Sequence, residues 1–324
     1  MINKRKAEER GMKQKKWWIF LLLASMLLSS CGLHTAGEIA ETQKVTESDL
    51  LTGEEYSRTE SEITTVRIAI LDSGISSIAI NSKSLEKGLN GIRPFSDTED
   101  TTGHGTAVAS IIVGSETAGV DGICPQAVLI PLVYCEKDYL GRTVNADAET
   151  VGKLIRDAVD TFHCDIINIS SATTTDDSSL QSAIAYAAEQ GVIIVTCAGN
   201  TNLTTPDNVY YPGAYDGVIC IGSVNGTGEV SDFSQRGDYL DFVAPGEELP
   251  AAAPEGELTT VTGTSFSAAY VTGMIAEILS NDADICRQPE EILQKITELL
   301  KQRAVDIGEK GWDADSGWGE LQIK

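Results

Sequence analysis

From Thr65 onward the chain repeats one alternation: a short apolar run rich in β-branched residues, then a stretch whose apolar positions recur at helical spacing. The runs occupy positions 66–71, 127–133, 165–169, 192–197 and 218–221. Between them Val151, Leu154, Ile155, Ala158 and Phe162 share one helical face, as do Leu180, Ala183, Ile184 and Ala187. Strands alternating with helices make a mostly parallel central sheet with helices on both faces, so the expected fold class is α/β. About 260 residues are within reach of one such domain with a large core. A last amphipathic helix is expected after Pro289, with Ile292, Leu293, Ile296, Leu299 and Leu300 on its apolar face; the proline suits its first turn.

Open sheets of this kind gather reactive groups at the carboxyl ends of their strands. The first run ends in Leu71-Asp-Ser-Gly74, which puts Asp72 at that edge. Of the three histidines, His34 lies in a polar stretch behind an N-terminal apolar run, and His163 sits beside Cys164 at the end of a helical period. His104 stands between glycines in Thr102-Gly-His-Gly-Thr-Ala-Val-Ala-Ser110, at the start of a small-residue helix. Ser265 lies in Thr262-Gly-Thr-Ser-Phe-Ser-Ala-Ala269, a glycine turn opening into a helix with the serine as its first residue. Unpaired N–H groups and the positive end of a helix dipole stabilise developing negative charge there, which suits a nucleophile. A serine at such a position also serves as a plain N-cap. A hydroxyl becomes a competent nucleophile only when a base takes its proton and a third group orients that base. His104 and Asp72 are the candidates for those two roles.

Asp72-Ser-Gly, Gly103-His-Gly-Thr and Gly263-Thr-Ser-Phe-Ser, in that order, resemble the three active-site signatures of the subtilisin-like serine proteases. Cys197-Ala-Gly-Asn200 resembles the family's oxyanion-hole segment and Tyr211-Pro-Gly-Ala-Tyr-Asp-Gly-Val-Ile219 the segment after it. Ser231-Asp-Phe-Ser-Gln-Arg-Gly237 and Val243-Ala-Pro-Gly246 resemble the approach to the serine, so the likeness runs over residues 65–324. The resemblance implies an endopeptidase with Asp72, His104 and Ser265 as catalytic triad and Asn200 donating its side-chain amide to the oxyanion. It also implies a peptide or protein substrate held by Ser170, Ser171, Ala172, Ala198 and Gly199. That chemistry requires no cofactor.

The chain departs from the family pattern at three places. Ala269 stands where the family has a proline four residues after the nucleophile. Ile169-Ser-Ser-Ala172 ends in alanine where the substrate-pairing segment ends in glycine, and the extra methyl is expected to narrow the groove. The loop Gly114-Ser-Glu-Thr-Ala-Gly119 resembles the region that often holds the family's structural calcium but lacks the asparagine pattern, so that metal is unsupported by the residues.

Ahead of the domain, Lys4, Arg5, Lys6, Arg10, Lys13, Lys15 and Lys16 precede an apolar stretch from Trp17 to Leu28, the layout of a secretory signal. The stretch is about a dozen residues, short of the ~20 that a spanning helix needs. Leu28-Ser-Ser-Cys31 resembles the bacterial lipobox, which implies cleavage before Cys31 and lipidation of that cysteine. The alternative is an ordinary signal peptide with an incidental cysteine, and Met12 is an alternative start. The organisation expected is a signal peptide over 1–30, lipidated Cys31 with an acidic flexible tether over 31–64, and the peptidase domain over 65–324. The protein is then exported and lipid-anchored on the outer face of a bacterial cell membrane. The tether is polar, acidic and without a sustained apolar period. It is also too short for the folded prodomain that secreted members of the family commonly carry.

The chain has 24 basic and 48 acidic residues, and without positions 1–30 it has 17 and 46, a net charge of −29. Nucleic acid is excluded as a partner, since phosphate binding needs basic clusters. The acidity serves solubility, or attracts cationic substrates. Besides Cys31 there are Cys124, Cys135, Cys164, Cys197, Cys220 and Cys286. Six cysteines permit three disulfides, but several lie in apolar strand runs, and mostly free, buried thiols are expected. No C-x-x-C occurs, so zinc is not expected. A monomer is expected. Two other classes compete: a catalytically idle binding protein on the same fold, and an α/β esterase. The esterase lacks its Gly-x-Ser-x-Gly elbow and its partner order here.

Overall fold

The computed structural model describes residues 65–282 and 289–323. The expected signal peptide, Cys31, the tether and Cys286 lie outside the described residues. The first half of the domain comprises β1 (Arg67–Asp72), β2 (Leu89–Asn90), α1 (His104–Val113), a hairpin of β3 (Gly114–Ser115) and β4 (Val120–Asp121), β5 (Val128–Val133), and a hairpin of β6 (Cys135–Lys137) and β7 (Thr143–Asn145). There follow α2 (Ala148–Asp160), β8 (Ile166–Ile169), α3 (Ser178–Glu189), β9 (Ile193–Cys197), β10 (Val218–Val224) and β11 (Phe242–Pro245). The antiparallel pair β12 (Leu249–Ala252) and β13 (Leu258–Val261) leads into α4 (Thr264–Asn281), and α5 (Pro289–Arg303) comes last.

Seven strands form the central sheet in the order β11-β10-β9-β8-β1-β5-β2, and every neighbouring pair is parallel. Alternate residues feed two cores. Ile68, Ile70, Ile166, Ile193 and Val195 pack under α1 and α4, whereas Ala69, Leu71, Ile130, Leu132, Ile167 and Ile194 pack against α2 and α3. Burial on both faces is why these strands read as unbroken apolar runs rather than alternating ones. Helix α4 is buried over 14 of its 18 residues and therefore shows no single apolar stripe; such a helix belongs inside the molecule. The more amphipathic α2 and α3 start at Asp147 and Asp177, whose carboxylates accept from the N–H groups of Thr150 and of Ser179 and Leu180. Helix α5 begins at Pro289 as the sequence implies, with Ile292, Ile296 and Leu300 buried.

The chain leaves β1 toward β5 and β2 on one side and later takes up β8 on the other, so the strand order reverses beside β1. A crevice forms at the carboxyl ends of the strands at such a point. Asp72 is the last residue of β1, and Ser170 follows the last residue of β8. The apolar runs did not announce β2, which has only two residues, or β11, which lies within the Val243-Ala-Pro-Gly246 segment.

Candidate active site

The carboxyl end of β1 and the amino end of α1 meet side by side. Asp72 is almost fully buried, and both its oxygens lie 2.9 Å from His104 Nδ1. Asp72 Oδ1 also accepts from the Ser73 N–H at 2.7 Å, which fixes the carboxylate plane. The helix comes this close because its second residue is Gly105: a Cβ there would stand 2.2 Å from the Gly74 carbonyl oxygen and 3.1 Å from Asp72 Cβ. His104 is the first residue of α1, behind Gly103 as N-cap, and its side chain remains 37% exposed.

A second carboxylate, which the sequence reading did not single out, organises this corner. Asp100 accepts from the N–H groups of Thr102, Gly103 and Thr106 and from the hydroxyls of Ser73, Thr102 and Thr106. Its position two and three residues before the first two of those N–H groups is an Asx-type turn, the one local signal in the sequence that pointed to it. Burial of the His104 ring lowers its pKa, but the charge and hydrogen bond of Asp72 and the charge of Asp100 outweigh that effect, and the net shift is upward from 6.5. Asp100→Asn is therefore expected to move the acid limb of a kcat/KM–pH profile to lower pH, because a negative charge that favours imidazolium is gone. A limb that stays put or moves up would contradict that electrostatic assignment.

Across the crevice Ser265 is the second residue of α4, not the first as the sequence suggested, and Gly263 rather than the serine is the N-cap. The ring of the next residue, Phe266, lies 5.3 Å from the His104 ring, centroid to centroid, which brings the imidazole to the start of α4. Ser265 Oγ donates to the Ser170 carbonyl at 3.0 Å. Ser170 Oγ lies 2.9 Å from both the Ser265 carbonyl and Asn168 Oδ1, and Asn168 Nδ2 donates to Thr272 Oγ1 at 2.9 Å. The end of β8 is thereby tied to α4. Beneath the serine, burial pushes the Cys197 thiol up to about 11, so it stays neutral.

Asn200 follows β9, and its Oδ1 accepts from Thr264 N at 2.9 Å and Thr264 Oγ1 at 2.8 Å. A backbone N–H can only donate, so this contact fixes the amide orientation and leaves Nδ2 as the outward donor. Gly199 N donates to Thr264 Oγ1 at 3.3 Å, and Ala198 N to the Ile221 carbonyl at 2.9 Å. The fold thus gathers Asp72 with His104, and Ser265 with Ser170 and, through Thr264, Asn200. Ser171 and Ala172 continue the β8 edge and are half-buried.

The family model described as the subtilase family matches residues 64–319. The chain belongs to the subtilase family. It is 32% identical over 260 residues to the minor extracellular protease Epr of Bacillus subtilis (strain 168), covering 80% of this chain and 38% of that protein. It is 30% identical over 243 residues to a thermostable alkaline protease of Halalkalibacterium halodurans, covering 75% of this chain and 63% of that one. The chain thus spans less than two thirds of the length of either relative. Among solved structures, the self-cleaved protease domain of PatA superposes with a TM-score of 0.66 at 28% identity, covering 79% of this chain and 93% of that one. A lanthipeptide protease does so with a TM-score of 0.64 at 26% identity, covering 79% and 85%.

In this subtilase a cavity of about 340 Å³ runs along Ser171, Ala172 and Thr173, walled by Tyr134, Leu180 and Tyr211. A larger one, about 680 Å³, is bounded by Arg236, Asp241 and Trp312 and is lined by no member of the Asp72–His104–Ser265 group. The loop that resembles the family's calcium region is the β3–β4 hairpin. Ser115 Oγ there donates to the Ala79 carbonyl at 2.7 Å, Glu116 Oε1 accepts from Asn81 Nδ2 at 3.4 Å, and Lys83 lines the same cavity. Calcium needs six to eight converging oxygens. Glu116 and Asp121 are the carboxylates lining that cavity, so most of such ligands would have to be backbone carbonyls. Cys124, Cys135, Cys197 and Cys220 are free thiols, three of them buried.

Proposed function

We propose that the chain is an exported serine endopeptidase that cleaves peptide bonds through an acyl-enzyme, with Asp72, His104 and Ser265 as its triad. The observation that carries this reading is the Asp72–His104 pair at 2.9 Å, set against a helix start that presents Ser265 beside the outward Asn200 amide. Asp72 accepts the His104 Nδ1–H and holds the tautomer whose other nitrogen is a base. His104 takes the Ser265 proton as Oγ attacks the carbonyl carbon, the Asn200 Nδ2–H donates to the developing oxyanion, and the imidazolium protonates the leaving amine. Water then attacks the acyl-enzyme by the same route in reverse roles. A substrate N–H that bonds to the Ser170 carbonyl competes with the Ser265 hydroxyl for it, freeing that hydroxyl to turn toward His104. Ser171, Ala172, Ala198 and Gly199 complete the groove. The digest of a mixture of exported peptides by the full-length protein, with cleavage sites mapped, tests the activity; intact peptides would refute it.

The preferred role is processing of exported peptides or proteins near the membrane. It is supported by structural neighbours named as a lanthipeptide protease and a patellamide maturation protease, and by the signal-and-lipobox layout ending at Cys31. Only the 33 residues 32–64 separate Cys31 from the described domain, so a lipid on Cys31 would favour membrane-proximal substrates. Cys31→Ala is expected to move the protein out of the membrane fraction while its cleavage sites stay the same. A wild-type protein recovered free in the medium, starting downstream of Cys31, would overturn the anchor.

A further inference from the structure

The Tyr210 ring packs against Gly199, next to the segment that carries the Asn200 amide. The acyl carbonyl of a substrate must lie between Ser265 Oγ and Asn200 Nδ2, so the side chain of the residue that contributes that carbonyl hangs next to the segments carrying these groups. The segments are the continuations of β8 and β9, residues 170–173 and 198–200, which run out from neighbouring parallel strands and leave a slot between them. The far end of the slot is closed by an antiparallel bridge, in which Thr173 and Tyr211 exchange N–H···O bonds of 2.8 Å.

The residue just before that bridge puts its ring onto the β9 side of the slot. A Cβ built on Gly199 would meet Tyr210 Cγ and Cδ2 at 3.2 Å, so the ring lies against the bare Gly199 backbone, which has φ +109°. Tyr210 is only 9% exposed, and its hydroxyl is held by Thr201 Oγ1, directly beyond Asn200. The loop over residues 201–208 is itself braced by Gln235, whose Nε2 donates to the carbonyls of Thr205, Pro206 and Asn208 at 2.8–3.1 Å. A ring fixed at its backbone and at its hydroxyl cannot swing aside at low cost. The space beside Gly199 where a large substrate side chain would go is therefore occupied.

The geometry points to Tyr210 as the residue that sets specificity at the position before the scissile bond, restricting it to small side chains such as glycine, alanine and serine. This rests on the endopeptidase reading and adds its substrate class. The test uses the full-length protein, titrated with a fluorophosphonate, on peptides that differ only at that one residue. The wild type is expected to favour alanine over phenylalanine by about 10²-fold in kcat/KM, the discrimination that pocket size supplies. Tyr210→Phe keeps the ring but loses its hydroxyl anchor on Thr201, and lowers that ratio less than removal of the ring does. Tyr210→Ala lowers it at least about 10-fold. The ratio is taken within one enzyme preparation and does not depend on how much of a variant folds. Wild-type cleavage after phenylalanine or leucine as fast as after alanine overturns the assignment, as does an unchanged ratio in Tyr210→Ala. A protein that labels at Ser265 yet shows either result loses the Tyr210 assignment alone. One that neither labels nor cleaves loses the endopeptidase reading and this inference with it.

Discussion

Ser265→Ala is expected to lower peptide hydrolysis by about 10⁶-fold in kcat, the scale seen when a triad serine is removed from a subtilisin. His104→Ala is expected to cost as much, and the double variant no more than either alone, because triad members act as a unit. The fold should survive the serine change. Ser265 Oγ donates to the Ser170 carbonyl and touches the Cys197 thiol, and Ser170 remains tied to α4 through the Asn168–Thr272 pair. Unaltered circular dichroism with lost turnover is the expected pair of readings. Full activity in Ser265→Ala, prepared from a protease-free host, would remove Ser265 from the mechanism.

Asn200→Ala is expected to lower kcat by about 10²–10³-fold with little change in KM, because its amide acts mainly on the oxyanion of the transition state. The same change also deprives Thr264 N of its acceptor at the start of α4. Asn200→Asp separates the two effects. It keeps the oxygen that Thr264 needs but brings a carboxylate to the oxyanion, so it should be at least as inactive as the alanine variant. If Asn200→Asp were active and Asn200→Ala were not, the residue would serve α4 and not the oxyanion; a change confined to KM would assign it to ground-state binding.

The sheet could be read from the chain because parallel strands covered on both faces must be apolar throughout, as in Ile68–Leu71 and Ile193–Val195. The Asp72, His104 and Ser265 segments could be read because each joins a reactive residue to the glycines that let backbone pack tightly around it; Gly105 against Gly74 and Asp72 is one such contact. What stayed hidden depends on partners far along the chain. The orientation of the Asn200 amide is set by Thr264, 64 residues away, and the packing of Tyr210 beside the groove depends on where its ring falls on Gly199. Asp100 was hidden for another reason, since an acid before two threonines and a glycine looks like an ordinary turn until its six hydrogen bonds are seen. Ser265 was placed one residue early because the small residue before it, Thr264, already belongs to the helix and Gly263 supplies the turn.

The most direct measurement is covalent labelling of the full-length protein by a fluorophosphonate, with the adduct mapped by mass spectrometry. Phosphonylation needs a serine activated by a base, which a binding protein on this fold would lack. The account predicts one adduct, on Ser265, formed at a rate that rises with pH through the titration of His104 and abolished in His104→Ala. An unlabelled wild-type protein, or an adduct at another serine that persists in His104→Ala, would contradict it.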